Sequence, residues 1–124
     1  MRFMMFMIPN IPEKDWMPTA EAIATMRKYN AQLSQSGALL SLDGLQSISK
    51  GAQVSFAKGK ATVNEGPFDP AGVIGGYWLI QVKSKQEAID WAKRVPAADG
   101  NVIEVRQIFE MSDFPPEVLK AAGI

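Results

Sequence analysis

The sequence predicts an α+β domain, and three observations carry that expectation. Apolar residues recur first at strand spacing and then at helix spacing, in the order β-α-β, hairpin, β-α-β. Each helical stretch is bracketed by its own start or stop signal, and the hairpin carries a glycine at its turn. The chain of 124 residues can bury one sizeable core but has no room for a second domain.

The elements follow in order. Residues 2–8 are apolar on both parities after Arg2, which suits a central strand covered on both faces. Pro9, Pro12 and Pro18 mark a loop, and Pro18 suits the first turn of a helix. Across residues 19–36, Ile23, Met26, Asn30 and Leu33 recur at helical spacing beside Ala22 and Tyr29, and Gly37 is placed to cap the end. Residues 38–45 read as a second strand, stopped by Asp43-Gly44. Residues 53–57 and 61–64 form a hairpin through Lys58-Gly59-Lys60, where Gly59 supplies the positive φ of a tight turn. A loop rich in Gly and Pro covers residues 65–75 and runs into a strand over residues 76–82. Alternation there sends Trp78, Ile80 and Val82 to one face and Tyr77, Leu79 and Gln81 to the other. Ser84-Lys85-Gln86-Glu87 is a capping box. It opens a helix with the apolar stripe Ala88, Trp91, Ala92 and Val95, stopped by Pro96. Residues 102–109 form the last strand, and the tail of residues 110–124 carries a short helix starting at Pro115-Pro116.

That order is the ferredoxin-like split βαβ plan with an inserted β-hairpin, in which both helices cover one face of an antiparallel sheet. The other face stays open. In the last strand Val102, Glu104, Arg106 and Ile108 share a parity, opposite Ile103, Val105, Gln107 and Phe109. A mixed apolar and polar open face is what a dimer interface or a lined cleft presents, so a homodimer is expected.

Composition narrows the function classes. Thirteen basic residues balance thirteen acidic ones without a basic run, which argues against a nucleic-acid partner. The apolar start after Arg2 is too short for a signal peptide and meets Pro9, Asn10 and Pro12, so it reads as a buried strand. No stretch approaches membrane-spanning length, so no membrane partner is expected and the location is expected to be cytoplasmic. Cysteine and histidine are both absent. Their absence excludes disulfides, thiolate nucleophiles, zinc sites built on Cys or His, and every imidazole-based triad. Acid–base chemistry would fall to carboxylates, Lys, Tyr or a bound cofactor. The residues assign no cofactor, no metal and no catalytic group.

Several stretches together resemble the YCII-related family, specifically its DGPF branch. They are EGPFDPAGVIGGYWLIQVKSKQEAIDWAKRVP, then VIEVRQIFEMSDF, and before them the helix, strand and hairpin of MPTAEAIATMRKYNAQLSQSGALLSLDGLQSISKGAQVSF. The resemblance covers nearly the whole chain. It implies a dimeric α+β barrel in which two ferredoxin-like sheets face each other, and it implies no settled activity. Departures are visible. Glu65 replaces the branch's Asp before Gly-Pro-Phe, and Asp69-Pro70-Ala71-Gly72-Val73 replaces an acidic and lysine-rich stretch. Gln46 stands where many relatives carry a His after Gly-Leu, so this chain cannot form the His-Asp pair proposed to be catalytic in some members.

The candidate ligand-binding residues are Arg106, Glu104, Glu65, Tyr77, Phe68 and Gln46. Glu104 and Arg106 are two apart on a strand and share a face. They are either a surface or interface ion pair, or an anion anchor with a base beside it. Arg2 joins them if the first strand pairs with the last. Tyr77 is a ligand or interface residue, and Gln46 a ligand or loop-capping one. The glycines of the 65–75 loop could offer backbone N–H groups to a phosphate, but the loop lacks either phosphate-loop pattern and leads into a strand, which favours a sharp crossing; Glu65 and Phe68 on the rim of a cleft is the third reading. The tail at Asp113-Phe114-Pro115-Pro116 either crosses a partner or hangs loose. Two functions fit these residues. One is a dimer binding a small polar or anionic metabolite; the alternative is a non-catalytic regulatory or interaction module.

Overall fold

The computed structural model describes residues 1–123. In chain order they form β1 (Arg2–Ile8), α1 (Ala20–Gln35), β2 (Leu39–Gly44), β3 (Gln53–Ala57), β4 (Lys60–Asn64), β5 (Gly76–Gln81), α2 (Lys85–Lys93), β6 (Val102–Gln107) and α3 (Pro116–Ala121). Short 3-10 turns sit at Glu13–Asp15, Ile48–Lys50 and Met111–Asp113.

The main sheet has four strands in the order β2-β5-β1-β6, with every neighbouring pair antiparallel. This is the α+β, ferredoxin-like arrangement that the element order predicts. Across it, Phe3 faces Ile80 and Gln107, while Met5 faces Trp78 and Val105. Phe3, Met5, Trp78, Ile80 and Val82 form the sheet's half of the core, and Tyr29, Leu33, Ala88 and Val95 meet them from the helical side.

α1 and α2 both begin on side-chain caps. Thr19 Oγ1 accepts the Ala22 N–H at 3.1 Å, and Gly37 closes α1 with φ of 83°. Ser84 Oγ accepts the Glu87 N–H at 3.1 Å, and the Glu87 carboxylate reaches back to the Lys83 N–H at 2.9 Å. That is the expected reciprocal cap, displaced by one residue on the return bond. Ile23, at the helical spacing of the α1 stripe, is instead 47% exposed. At about 100° per residue it lies on the flank of the Met26-Tyr29-Leu33 stripe, and Ala22, more nearly in line with that stripe, is exposed as well, so the first turn of α1 adds nothing to the core.

β1 is central, as its apolar run predicts, but the chain covers only one of its faces. Phe3 and Met5 are buried under the helices, whereas Met4, Phe6 and Ile8 on the opposite face are half-buried. The hairpin β3–β4 is a separate two-stranded sheet, and all its strand residues are exposed. Lys58 and Gly59 turn it with φ of 50° and 76°, the paired left-handed conformation of a two-residue type I′ loop. The tail folds back on its own chain. Arg2 donates Nε and Nη2 to the two carboxylate oxygens of Glu110 at 2.8 and 3.2 Å, and the Phe109 and Phe114 rings stack 4.7 Å apart. Among the described residues, no helix is long and apolar enough to cross a membrane.

Candidate functional site

The six candidate residues fall in three places. Tyr77, Glu104 and Arg106 stand on the open sheet face. Register puts Asp43, Tyr77, Phe6 and Glu104 in one row across the four strands, and Ser41, Leu79, Met4 and Arg106 in the next. Tyr77 and Glu104 are thus two strands apart, about 10 Å, with Phe6 between them. The Tyr77 hydroxyl donates to Asp43 Oδ2 at 3.1 Å and lies 3.3 Å from Ser41 Oγ, so it is tied to β2. Arg106 Nη1 reaches Glu104 Oε2 at 3.4 Å, with the arginine side chain 71% exposed. Water screens such a pair, and the arginine's charge is met by its neighbour. Arg2 shares this face through its spacing from Met4, but its guanidinium is held by Glu110. That contact holds the Glu110 carboxyl below the usual carboxylate range.

The second place is the loop of residues 65–75. The N–H groups of its three glycines are bound within the chain, Gly66 to Asn64 Oδ1, Gly72 to Asn10 Oδ1 and Gly75 to the Met7 carbonyl, as is that of Ala71, to Asp69 Oδ1. Backbone donors so engaged do not cradle a phosphate. The loop is a crossing from the hairpin into β5. Its glycines make room for specific neighbours. A Cβ on Gly76 would lie 3.0 Å from the Asp43 carbonyl oxygen. One on Gly75 would lie 3.3 Å from Trp16 Cζ2, and one on Gly66 3.1 Å from the Phe68 ring. Glu65 is exposed at the start of this loop, whereas Phe68 is half-buried.

The third place is the end of the sheet where β1 and β2 finish, beside α1. Here a cavity of about 580 Å³ is walled by Met7, Ile11, Trp16, Met26 and Leu45. Gln46 is the candidate residue on its wall, joined by Asp15 and Asn101. The Asn101 amide is occupied, donating to the Pro9 carbonyl at 2.7 Å and accepting from the Ala98 N–H at 2.8 Å. Asp15 and Gln46 therefore remain as its polar contacts for a guest. No lysine or arginine lines it among the described residues. Trp16, held by its Nε1 donating to the Leu45 carbonyl at 3.0 Å, divides this cavity from a smaller one containing Phe68.

The structure therefore brings Tyr77, Glu104 and Arg106 onto one face but leaves Glu65, Phe68 and Gln46 apart from them. Of the residues that build the cavities, Gln46 and Phe68 are candidates in the sequence and Met26 is read there only as part of the helical stripe, whereas Trp16, Asp15 and Glu13, from the proline-bounded loop, are not singled out. One signal was available for Trp16. A tryptophan inside a loop bounded by Pro12 and Pro18 has no strand or helix face to pack on, so its ring must cover something else.

An apolar chamber with one carboxylate and one free amide can bind and desolvate a small molecule. It offers neither an imidazole nor a thiolate. No curated protein matches the chain. A family model does match, that of the YCII-related domain over residues 1–112. With the ferredoxin-like sheet and its helices in place beneath that match, the chain belongs to the YCII-related family.

Proposed function

We propose that the protein is a homodimeric small-molecule-binding protein of the family's DGPF branch. Its ligand is a compact, largely apolar molecule bearing a hydrogen-bond donor. The observation that carries this reading is the 580 Å³ cavity, whose walls are methionine, tryptophan and leucine, with Asp15 and Gln46 as polar contacts. Its size falls within the range of small-ligand sites. A carboxylate without a lysine or arginine in the lining favours a donor group over an anion. Arg106 lies outside it, paired with Glu104 on the open face. Gly66-Pro67-Phe68, with Gly75-Gly76 before the aromatic strand, supports placement in the DGPF branch.

Gly44 provides the test. It lines the cavity, and a Cβ there meets nothing within 4 Å. Gly44→Leu is expected to fold normally and to abolish the thermal shift produced by any apolar ligand found in a metabolite screen. A full ligand shift in folded Gly44→Leu would place binding elsewhere.

The dimer rests on the open face, where Met4, Phe6 and Leu79 are half-buried in a single chain. In a dimeric α+β barrel the second copy covers that face. Phe6→Glu would set a carboxylate beside Glu104, and so is expected to leave a monomer in sedimentation equilibrium. A dimer that survives this change would have its interface on another surface.

A further inference from the structure

The smaller cavity, on the other side of Trp16, has a chemistry of its own. It measures about 210 Å³ and is walled by Trp16, Phe68, Pro12, Pro70 and Val73. That is below the size of a drug-like site and suits a head group of a few heavy atoms. Glu13 is the charged group in its lining, and Ser47 adds a hydroxyl. Two aromatic rings, two prolines and one carboxylate are a selective combination. An apolar guest has no need of Glu13, and a strongly hydrated cation has no need of the rings.

Glu13 is held ionised and in place. Ser47 Oγ donates to its Oε1 at 2.9 Å, and Ser49 Oγ donates to the same oxygen. These hydroxyls, Ser49 before Ser47, hold its carboxyl below the usual carboxylate range; burial opposes them, and Lys50 adds a weaker pull without an ion pair. Because both serines use Oε1, Oε2 is left for a guest. The rings are equally fixed. Trp16 is anchored through the Leu45 carbonyl and rests its Cζ2 edge on Gly75, while Phe68 rests Cδ2 and Cε2 on Gly66. The glycines at the two ends of the 65–75 loop thus each seat one ring of the cavity. A preorganised site loses little on binding.

We propose that this cavity binds a small organic cation with an alkylated ammonium head. Aromatic faces attract such a cation, whose methyl groups tolerate desolvation and whose charge is met by the carboxylate. The site is distinct from the larger cavity and stands without it.

The test uses the full chain and follows the Trp16 indole N–H signal by NMR. The probes are choline and its neutral analogue, in which a carbon replaces the nitrogen. Choline is expected to shift the signal saturably, and the neutral analogue to bind about tenfold more weakly, the contribution expected of two partly exposed cation–π contacts together with the Glu13 charge. Glu13→Gln and Phe68→Leu should each weaken choline, and Gly44→Leu, which fills only the larger cavity, should leave choline binding unchanged. Equal affinity for the neutral analogue, no saturable shift, undiminished choline binding by Glu13→Gln, or loss of it in Gly44→Leu would each overturn the assignment.

Discussion

Asn30 Oδ1 accepts a hydrogen bond from Trp78 Nε1 at 2.8 Å, joining α1 to the core face of β5. Trp78 is 5% exposed, so its N–H has little access to water as a substitute partner. Asn30→Leu keeps the number of side-chain heavy atoms and removes the acceptor. Leaving a buried donor unpaired is expected to lower the unfolding free energy by about 1–3 kcal/mol. Urea denaturation measures it, and an unchanged midpoint would mean that Trp78 finds another acceptor.

Gly76 and Gly44 are cross-strand partners with opposite tolerances. A Cβ at Gly76 would press on the Asp43 carbonyl oxygen at 3.0 Å and on Gly44 Cα at 3.4 Å, both of them backbone. Backbone cannot rotate aside, so β2 would have to move. Gly76→Ala is expected to destabilise by about 1–3 kcal/mol, and Gly44→Ala to stay within about 0.5 kcal/mol of the parent. Paired thermal melts decide this. Equal midpoints would show that β2 adapts freely.

The Arg2–Glu110 contact makes the tail's attachment depend on pH. Arg2's hydrogen bond is the largest cause of the lowered Glu110 pKa, and Arg2 is correspondingly raised. A carboxyl depressed on folding contributes stability that is present above its unfolded pKa and lost as pH falls through its folded value. The raised arginine is protonated throughout that window. The ring signals of Phe109 and Phe114 should therefore hold steady from neutral pH down to the ordinary carboxylate range and change below it. Arg2→Met should remove the depression and move that transition up. Salt should weaken the contact, since both side chains are well exposed.

Tyr29 donates its hydroxyl to the Trp91 carbonyl at 2.8 Å and packs edge-on against Trp78 and Trp91. Burial pushes its phenol up to about 12, with Arg94 opposing. A phenol raised on folding contributes stability below its unfolded pKa, and that contribution is lost as pH rises through the folded value. An ultraviolet titration should show a late phenolate step near that value, absent in Tyr29→Phe. A single step at the ordinary tyrosine pKa would contradict the buried hydroxyl.

Legibility in the sequence followed range. The limits of β1, the Thr19-to-Gly37 frame of α1, the Ser84 cap and the type I′ turn at Lys58-Gly59 all depend on residues within a few positions of one another. The three 3-10 turns escaped, because segments of three residues carry no periodicity. β6 ends at Gln107 rather than Phe109. Ile108 still donates to the Arg2 carbonyl, but the chain then turns at Glu110 to meet the Arg2 side chain, which lies far away in sequence. Parity correctly separated Trp78 from Tyr77, yet it did not tell that Asp43 and Ser41 hold the Tyr77 hydroxyl. That depends on which strand lies next to β5.

By itself, the sequence determined the α+β element order, the face on which each strand residue stands, and the exclusion of imidazole and thiolate chemistry, all of them local or compositional properties. Tertiary structure decided where the cavities are. The smaller one gathers Glu13 and Trp16, Ser47, and Phe68 to Val73 from three loops far apart in the chain. The larger one draws on β1, α1 and the turns after β2 and α2. Periodicity states which way a residue faces on its own element, and loops have no period. Only the packing of sheet against helices sets which loops meet, and with them which side chains enclose a guest.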